Sequence, residues 1–279
     1  MSVLHAGSHR LSLARPRIMG IVNVTPDSFS DGGRLRDTQA AINHALKLRE
    51  EGADILDVGG ESTRPDAVPV PVDEEIRRVL PVIVALVRQG CVVSVDTKKP
   101  MVMHAALSEG AAMVNDVAAL QAPGALEAVA ASSAAVCLMH MQGEPQSMQQ
   151  APLYTDVVDE VRQFLLGRVG ACEAAGISRE RLLIDPGFGF GKTLAHNLAL
   201  LRHLDRLAEL GLPVLAGLSR KSMLGALTGR IVDEREFAGV AAHLAAVVHG
   251  ARLLRVHNVV AMRDALAVWN AVEEYRDGT

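Results

Sequence analysis

The residues of this 279-residue chain best suited to chemistry stand one after another where short apolar runs finish. In order they are Asn23, Asp57 with Glu61, Asp96, Asn115, His140, Asp185, Lys221 and the pair Arg255 and His257. Asp96, Asn115 and Asp185 supply two carboxylates and a carboxamide. An aspartate accepts two parallel N–H bonds from the edge of a planar amino-pyrimidinone ring, while asparagine both donates and accepts. Ser219, Arg220, Lys221, Ser222, Arg255 and His257 supply the opposite sign. Side chains alternate along a strand, so Arg255 and His257 share a face. The segment SRKS follows an apolar run and opens a helical pattern. Its backbone N–H groups, Lys221 and Ser222 favour an anionic oxygen. The residue types describe a pocket for a flat, nitrogen-rich ring beside anions.

Such a pocket requires elements that deliver every residue to one place. Eight apolar runs recur: IMGIVNV from Ile18, DILDVGG from Asp54, CVVSV from Cys91, MVNDV from Met113, AVCLM from Ala135, LLID from Leu182, PVLAG from Pro213 and LLRVH from Leu253. Between them lie helical periodicities, among them Thr38–Glu51, Asp73–Gln89, Pro100–Glu109 and Tyr154–Ala175, each stopping at a glycine. Eight strand–helix units without a linker fit a (β/α)8 barrel of the TIM type, a single α/β domain over residues 18–279, with an open doubly wound sheet as the competing architecture. Residues 1–17 are either a tail or a cap over the barrel floor. In a barrel, every polar residue named above lies at the carboxyl-terminal rim, where such folds assemble their sites.

Composition agrees. Hydrophobic residues make up 49% and aromatic residues 3%, so the core is filled by Ala, Val, Leu and Ile, which suits buried parallel strands. A formal charge of −4 offers no basic field for nucleic acid or an anionic membrane, and no apolar run is long enough to span a bilayer. The early His and Arg interrupt any secretion signal. Cys91, Cys137 and Cys172 form no CxxC pair and read as reduced thiols of a cytoplasmic protein.

Several motifs fail on inspection. PGFGFGKT, from Pro186, ends like a phosphate-binding P-loop, but Pro stands where the first glycine is needed. It reads better as a tight turn after Asp185 that lets backbone approach a ring. The ten histidines include no HExxH and no Cys/His cluster, and His44, His104 and His243 read as ordinary helical residues. Nothing marks Lys221 as a Schiff-base lysine, and no nucleophile triad is visible. Two loops, residues 23–33 and 60–71, are rich in Gly, Pro, Ser, Thr and Asp and are suited to closing over a ligand.

Taken together, IMGIVNVTPDSFSDGG, GADILDVGGESTRP, VSVDT, VNDV, MHMQGEPQSMQ, LLIDPGFGFGKTLAHNLALL, GLSRKSMLG and LRVHNV closely resemble the dihydropteroate synthase family, from about Ile18 to Val259. The resemblance implies a (β/α)8 barrel, usually a homodimer, in folate biosynthesis and inhibited by sulfonamides. It implies a transferase joining 7,8-dihydropterin-6-ylmethyl diphosphate to 4-aminobenzoate, releasing diphosphate with Mg²⁺ present. By matched position, Asp96, Asn115, Asp185, Lys221 and Arg255 would hold the pterin. Asn23, Thr63, Arg255 and His257 would meet the diphosphate, with Mg²⁺ near Asn23. Phe29, Pro65, Lys221 and Ser222 would bound the aminobenzoate, and Asp96, Asp185, Lys221, Arg255 and His257 would carry the chemistry. The family often has His-Asp where this chain reads His257-Asn258; Asn can cap the following helix as Asp does. The stretch from Asp233 to Ala251 carries little of the resemblance. The alternatives are a pterin-binding methyltransferase barrel, which should lack the anion-binding set, and an inactive pterin-binding relative.

Overall fold

The computed structural model describes residues 3–25, 34–62, 68–143, 148 and 152–275. A short antiparallel hairpin, β1 (Val3–Ala6) and β2 (His9–Ser12), precedes eight parallel strands. These are β3 (Arg17–Asn23), β4 (Ile55–Gly59), β5 (Val93–Asp96), β6 (Met113–Asp116), β7 (Ala135–Met139), β8 (Leu182–Asp185), β9 (Val214–Ala216) and β10 (Ala251–Val256). They form a closed barrel in chain order, β10 pairing with β3, so the expected fold is the one observed.

The helices cover the outside: α1 (Arg34–Glu50), α2 (Val72–Arg88), α3 (Pro100–Ser108), α4 (Ala125–Ala130), α5 (Val157–Ala174), α6 (Leu194–Arg202), α7 (Asp205–Ala208), α8 (Ser222–Thr228), α9 (Glu236–Val248) and α10 (Val259–Glu274). Local chemistry sets their limits. Asp156 caps α5 by accepting from the N–H groups of Val158 and Asp159, which starts the helix three residues later than its periodicity suggests. Asn258 accepts from the N–H of Ala261 at 3.0 Å and so caps α10, as its amide oxygen allows.

Strand alternation separates two cores. Leu56, Val58, Val93, Val95, Val114, Val136, Ile184 and Leu254 face outward and pack under the helices. Met19, Ile55, Met113, Ala135, Cys137, Leu183, Leu215 and Leu253 face inward and fill the barrel. Leu4, Ala6 and Leu13 of the N-terminal segment join this inner cluster, so the hairpin plugs the floor. The sequence pattern did not reveal that hairpin, because two four-residue strands carry too few alternations to register.

Candidate active site at the carboxyl rim

Inward parity continues up each strand, but the residue type changes. Above Ile55 comes Asp57, and above Met113 comes Asn115. Above Leu183 comes Asp185, and above Leu253 comes Arg255. Strand register places Asn23, Gly59, Asp96 and Asn115 in one row. The barrel is therefore apolar at its floor and charged at its mouth, because a period of two carries each strand from core to rim on the same face.

Asp57 is the hub of this mouth. It is fully buried, and its Oδ2 accepts from Arg255 Nε at 2.6 Å and from Asn115 Nδ2 at 3.0 Å. Arg255 also donates through Nη2 to Asp96 Oδ2 at 2.6 Å. One guanidinium thus spans two acids, and Asn115 is oriented by one of them. Burial works against the Arg255 charge, but Asp57 and Asp96 outweigh it and hold the group protonated well above its ordinary range. Burial raises the Asp96 carboxyl to about 7; Arg255 opposes the rise, while Asp57, Glu75 and Asp116 add to it. Burial likewise raises Asp185 to about 6, against the N–H of Gly187, donated to Oδ1 at 2.6 Å, and the charges of Lys221, Lys192 and Arg255.

Lys221 enters from the N-cap position of α8, the residue before Ser222. The bend that delivers it holds Arg220 at φ +59°, a conformation costly for a residue with a Cβ. Its Nζ lies 4.2 Å from the centre of the Phe190 ring. Burial pushes the amine down to about 8, although Asp185 pulls it up. The stem passes Gly189, where a Cβ would lie 3.3 Å from Lys221 Cδ. His257 follows β10, and its Nδ1 is 2.9 Å from Ser219 Oγ.

Asn23, Asp96, Asn115, Asp185, Lys221, Arg255 and His257 therefore lie at the same rim, and four of them share one electrostatic network. Phe29, Thr63 and Pro65 lie outside the described residues. Two expectations need correction. Glu61 does not join the Arg255 network; its carboxylate binds Lys99 Nζ at 2.6 Å and the N–H of Val70 at 2.7 Å, tying a loop stem instead. His140 is buried against Lys192, not presented to the mouth. Arg255, expected to help hold the pterin and to meet the diphosphate, directs two of its N–H groups to Asp57 and Asp96. Two residues gained importance. Asp57 was visible by parity within ILDVG but could not be ranked without its partners. Phe190, among glycines, gave no sequence signal at all.

A barrel whose rim gathers three acids, a carboxamide, a lysine and an arginine above an apolar interior is of the class suited to grip a flat polar heterocycle. The profile of the family described as pterin binding enzyme matches residues 19–257. The dihydropteroate synthase of Haemophilus influenzae is 49% identical over 96% of this chain and 98% of its own. The solved structure of Xanthomonas albilineans dihydropteroate synthase with 4-aminobenzoic acid superposes with a TM-score of 0.93 at 58% identity, covering 99% of both chains. That enzyme's complex with 7,8-dihydropteroate gives 0.90 at 56% identity, covering 98% of this chain and 100% of the other. The chain belongs to the dihydropteroate synthase family of pterin-binding enzymes.

Proposed function

We infer that this chain is a transferase of folate biosynthesis, joining 7,8-dihydropterin-6-ylmethyl diphosphate to 4-aminobenzoate to give 7,8-dihydropteroate and diphosphate. One observation carries the reading: Asp96, Asn115, Asp185, Lys221 and Arg255 meet at one barrel mouth in a chain that matches dihydropteroate synthases along almost its whole length. We assign the pterin edge to Asp96, Asn115 and Asp185, with Lys221 and Arg255 beside it, and the anionic leaving group to Asn23, Thr63, Arg255 and His257. Phe29, Pro65, Lys221 and Ser222 would bound the aminobenzoate.

Breaking the methylene C–O bond leaves positive charge on the dihydropterin and a departing diphosphate. Buried Asp96 and Asp185 favour the first, and Arg255 and His257 favour the second, by electrostatics arranged before reaction. An arylamine is neutral near pH 7 and keeps a free lone pair, so the site needs no strong general base. A fit for Mg²⁺ follows from the donors present. No cluster of three His, Cys, Asp or Glu suited to a metal occurs among the described residues, and Asn23 offers one amide oxygen at the end of β3. That set suits an ion that keeps its waters and leans on substrate phosphates. Mg²⁺ held there by Asn23 would neutralise charge on the leaving group.

The proposal extends to a cytoplasmic homodimer. Support for the first is that all three cysteines are buried free thiols and that no described helix is long and apolar enough to cross a membrane. Support for the second is the exposure of Leu227, Ile231 and Phe237, the last 87% exposed, between the end of α8 and the start of α9. The mass in solution tests the dimer. The activity is tested by incubating the protein with pterin diphosphate, 4-aminobenzoate and Mg²⁺. Dihydropteroate is expected, and none is expected in excess chelator. Full turnover in chelator would remove the metal from the reading, and no product with Mg²⁺ would remove the activity.

A further inference from the structure

Lys192 takes no part in the reaction described above, yet it is a buried cation a few residues from Asp185. It is 3% exposed. Its Nζ lies 2.9 Å from His140 Nδ1 and donates to the carbonyls of His140 at 3.3 Å and Phe190 at 3.0 Å. Three acceptors meet the three N–H groups of an ammonium, and none of them is a carboxylate. A methionine would fill the same volume without the cost of burying a charge. His140 is kept neutral, pushed down to about 3 by burial and by the Lys192 charge, and the tautomer that leaves Nδ1 unprotonated lets it accept from the ammonium. Phe164 fixes that ring edge to face at 4.9 Å.

The contacts do two things. First, the turn after Asp185 lies flat on the backbone after β7. A Cβ on Gly187 would collide with the His140 carbonyl, and one on Gly191 with the Gln142 carbonyl. Lys192 bonds to both layers, at His140 and at Phe190, and the Phe190 ring is the surface on which Lys221 Nζ rests. Second, Lys192 adds positive charge near Asp185. The charged and titratable groups facing Asp185 are Lys221 from the start of α8, Arg255 from β10 and Cys137 from β7, with Lys192 behind. Those facing Lys192 are Asp185, Lys221 and His140.

We propose that Lys192 is a positioning residue for ring recognition: it pins the turn that sets Phe190 under Lys221, and through His140 it sits behind the strand end that carries Asp185. The proposal rests on the dihydropteroate synthase reading. Burial brings the Lys192 amine down to about 7, so it is mostly charged at pH 6, where Asp185 at about 6 is half ionised.

The test uses full-length Lys192→Met and Lys192→Gln, each checked for folding by thermal unfolding, and titrated calorimetrically with 6-hydroxymethyl-7,8-dihydropterin at pH 6 and pH 8. If losing the charge moves Asp185 up by about one unit, its ionised fraction falls about fivefold at pH 6 and by about a tenth at pH 8. Both variants are expected to lose about fivefold more affinity at pH 6 than at pH 8. Lys192→Gln, which keeps N–H donors, should bind better than Lys192→Met at pH 8. An equal loss at both pH values, or wild-type affinity at pH 6 in a folded variant, overturns the proposal. If neither variant folds, the Asp185 carboxyl is titrated in the wild-type protein by ¹³C NMR. A titration coupled to that of Lys192 is expected, and two independent steps overturn it. Wild-type protein that forms no dihydropteroate refutes the functional reading instead, whatever the variants do.

Discussion

Replacing Asp57 by asparagine tests the hub of the site. The new amide can place its oxygen where Oδ2 stands, keeping the contacts to Arg255 and Asn115 but with an uncharged acceptor. Its NH₂ then occupies the position of Oδ1, which is buried and meets no partner among the described residues. Two costs follow: about half of a charge-assisted hydrogen bond, and one buried donor without an acceptor, together about 2–3 kcal/mol. Arg255 is not stranded, because Asp96 still holds it at 2.6 Å and its side chain is 22% exposed, so the larger penalty for breaking a buried pair does not apply. For a domain of this size that corresponds to a fall in Tm of about 3–5 °C. A second readout has a definite sign. The Asp57 charge raises the Asp96 carboxyl, so Asp57→Asn must lower it below about 7 and shift the acid limb of pterin binding to lower pH. Scanning calorimetry and ligand titration across pH 5–8 measure both. A variant as stable as wild type whose acid limb stays in place or moves upward would refute the hub assignment.

Three further outcomes follow. In wild-type protein, affinity for a dihydropterin should rise between about pH 5 and pH 8, because Asp185 near 6 and Asp96 near 7 offer charged oxygens, free of an O–H donor, to ring N–H groups only when ionised and lose that as pH falls; a flat calorimetric profile contradicts this. Phe190→Leu removes the ring beneath Lys221 and should weaken pterin binding by about 0.5–2 kcal/mol with little change in fold, read as a raised KM for the pterin substrate. Leu4→Ala should destabilise the barrel by about 2–4 kcal/mol, since Leu4 is 1% exposed inside the floor cluster; urea unfolding at wild-type midpoint would show that the hairpin is dispensable.

The amino-acid order alone determined the alternation of strands and helices and most of the rim, while closure of the sheet into a barrel was decided by the tertiary structure. Alternation within the eight runs, and glycine after the helical patterns, are local signals, and parity carries each of them to the strand end. Thus Asp96, Asn115, Asp185 and Arg255 could be named before any pairing was known. Which of those groups touch was beyond it. Asp57 and Arg255 are 198 positions apart, and only closure of β10 against β3, which itself pairs with β4, brings them within 2.6 Å. The same holds for Glu61, whose acid looked like part of the pocket until Lys99 was found beside it. Phe190, Lys192 and the floor hairpin were also decided by the tertiary structure. Their meaning lies in contacts across the barrel, where neither periodicity nor spacing leaves a trace.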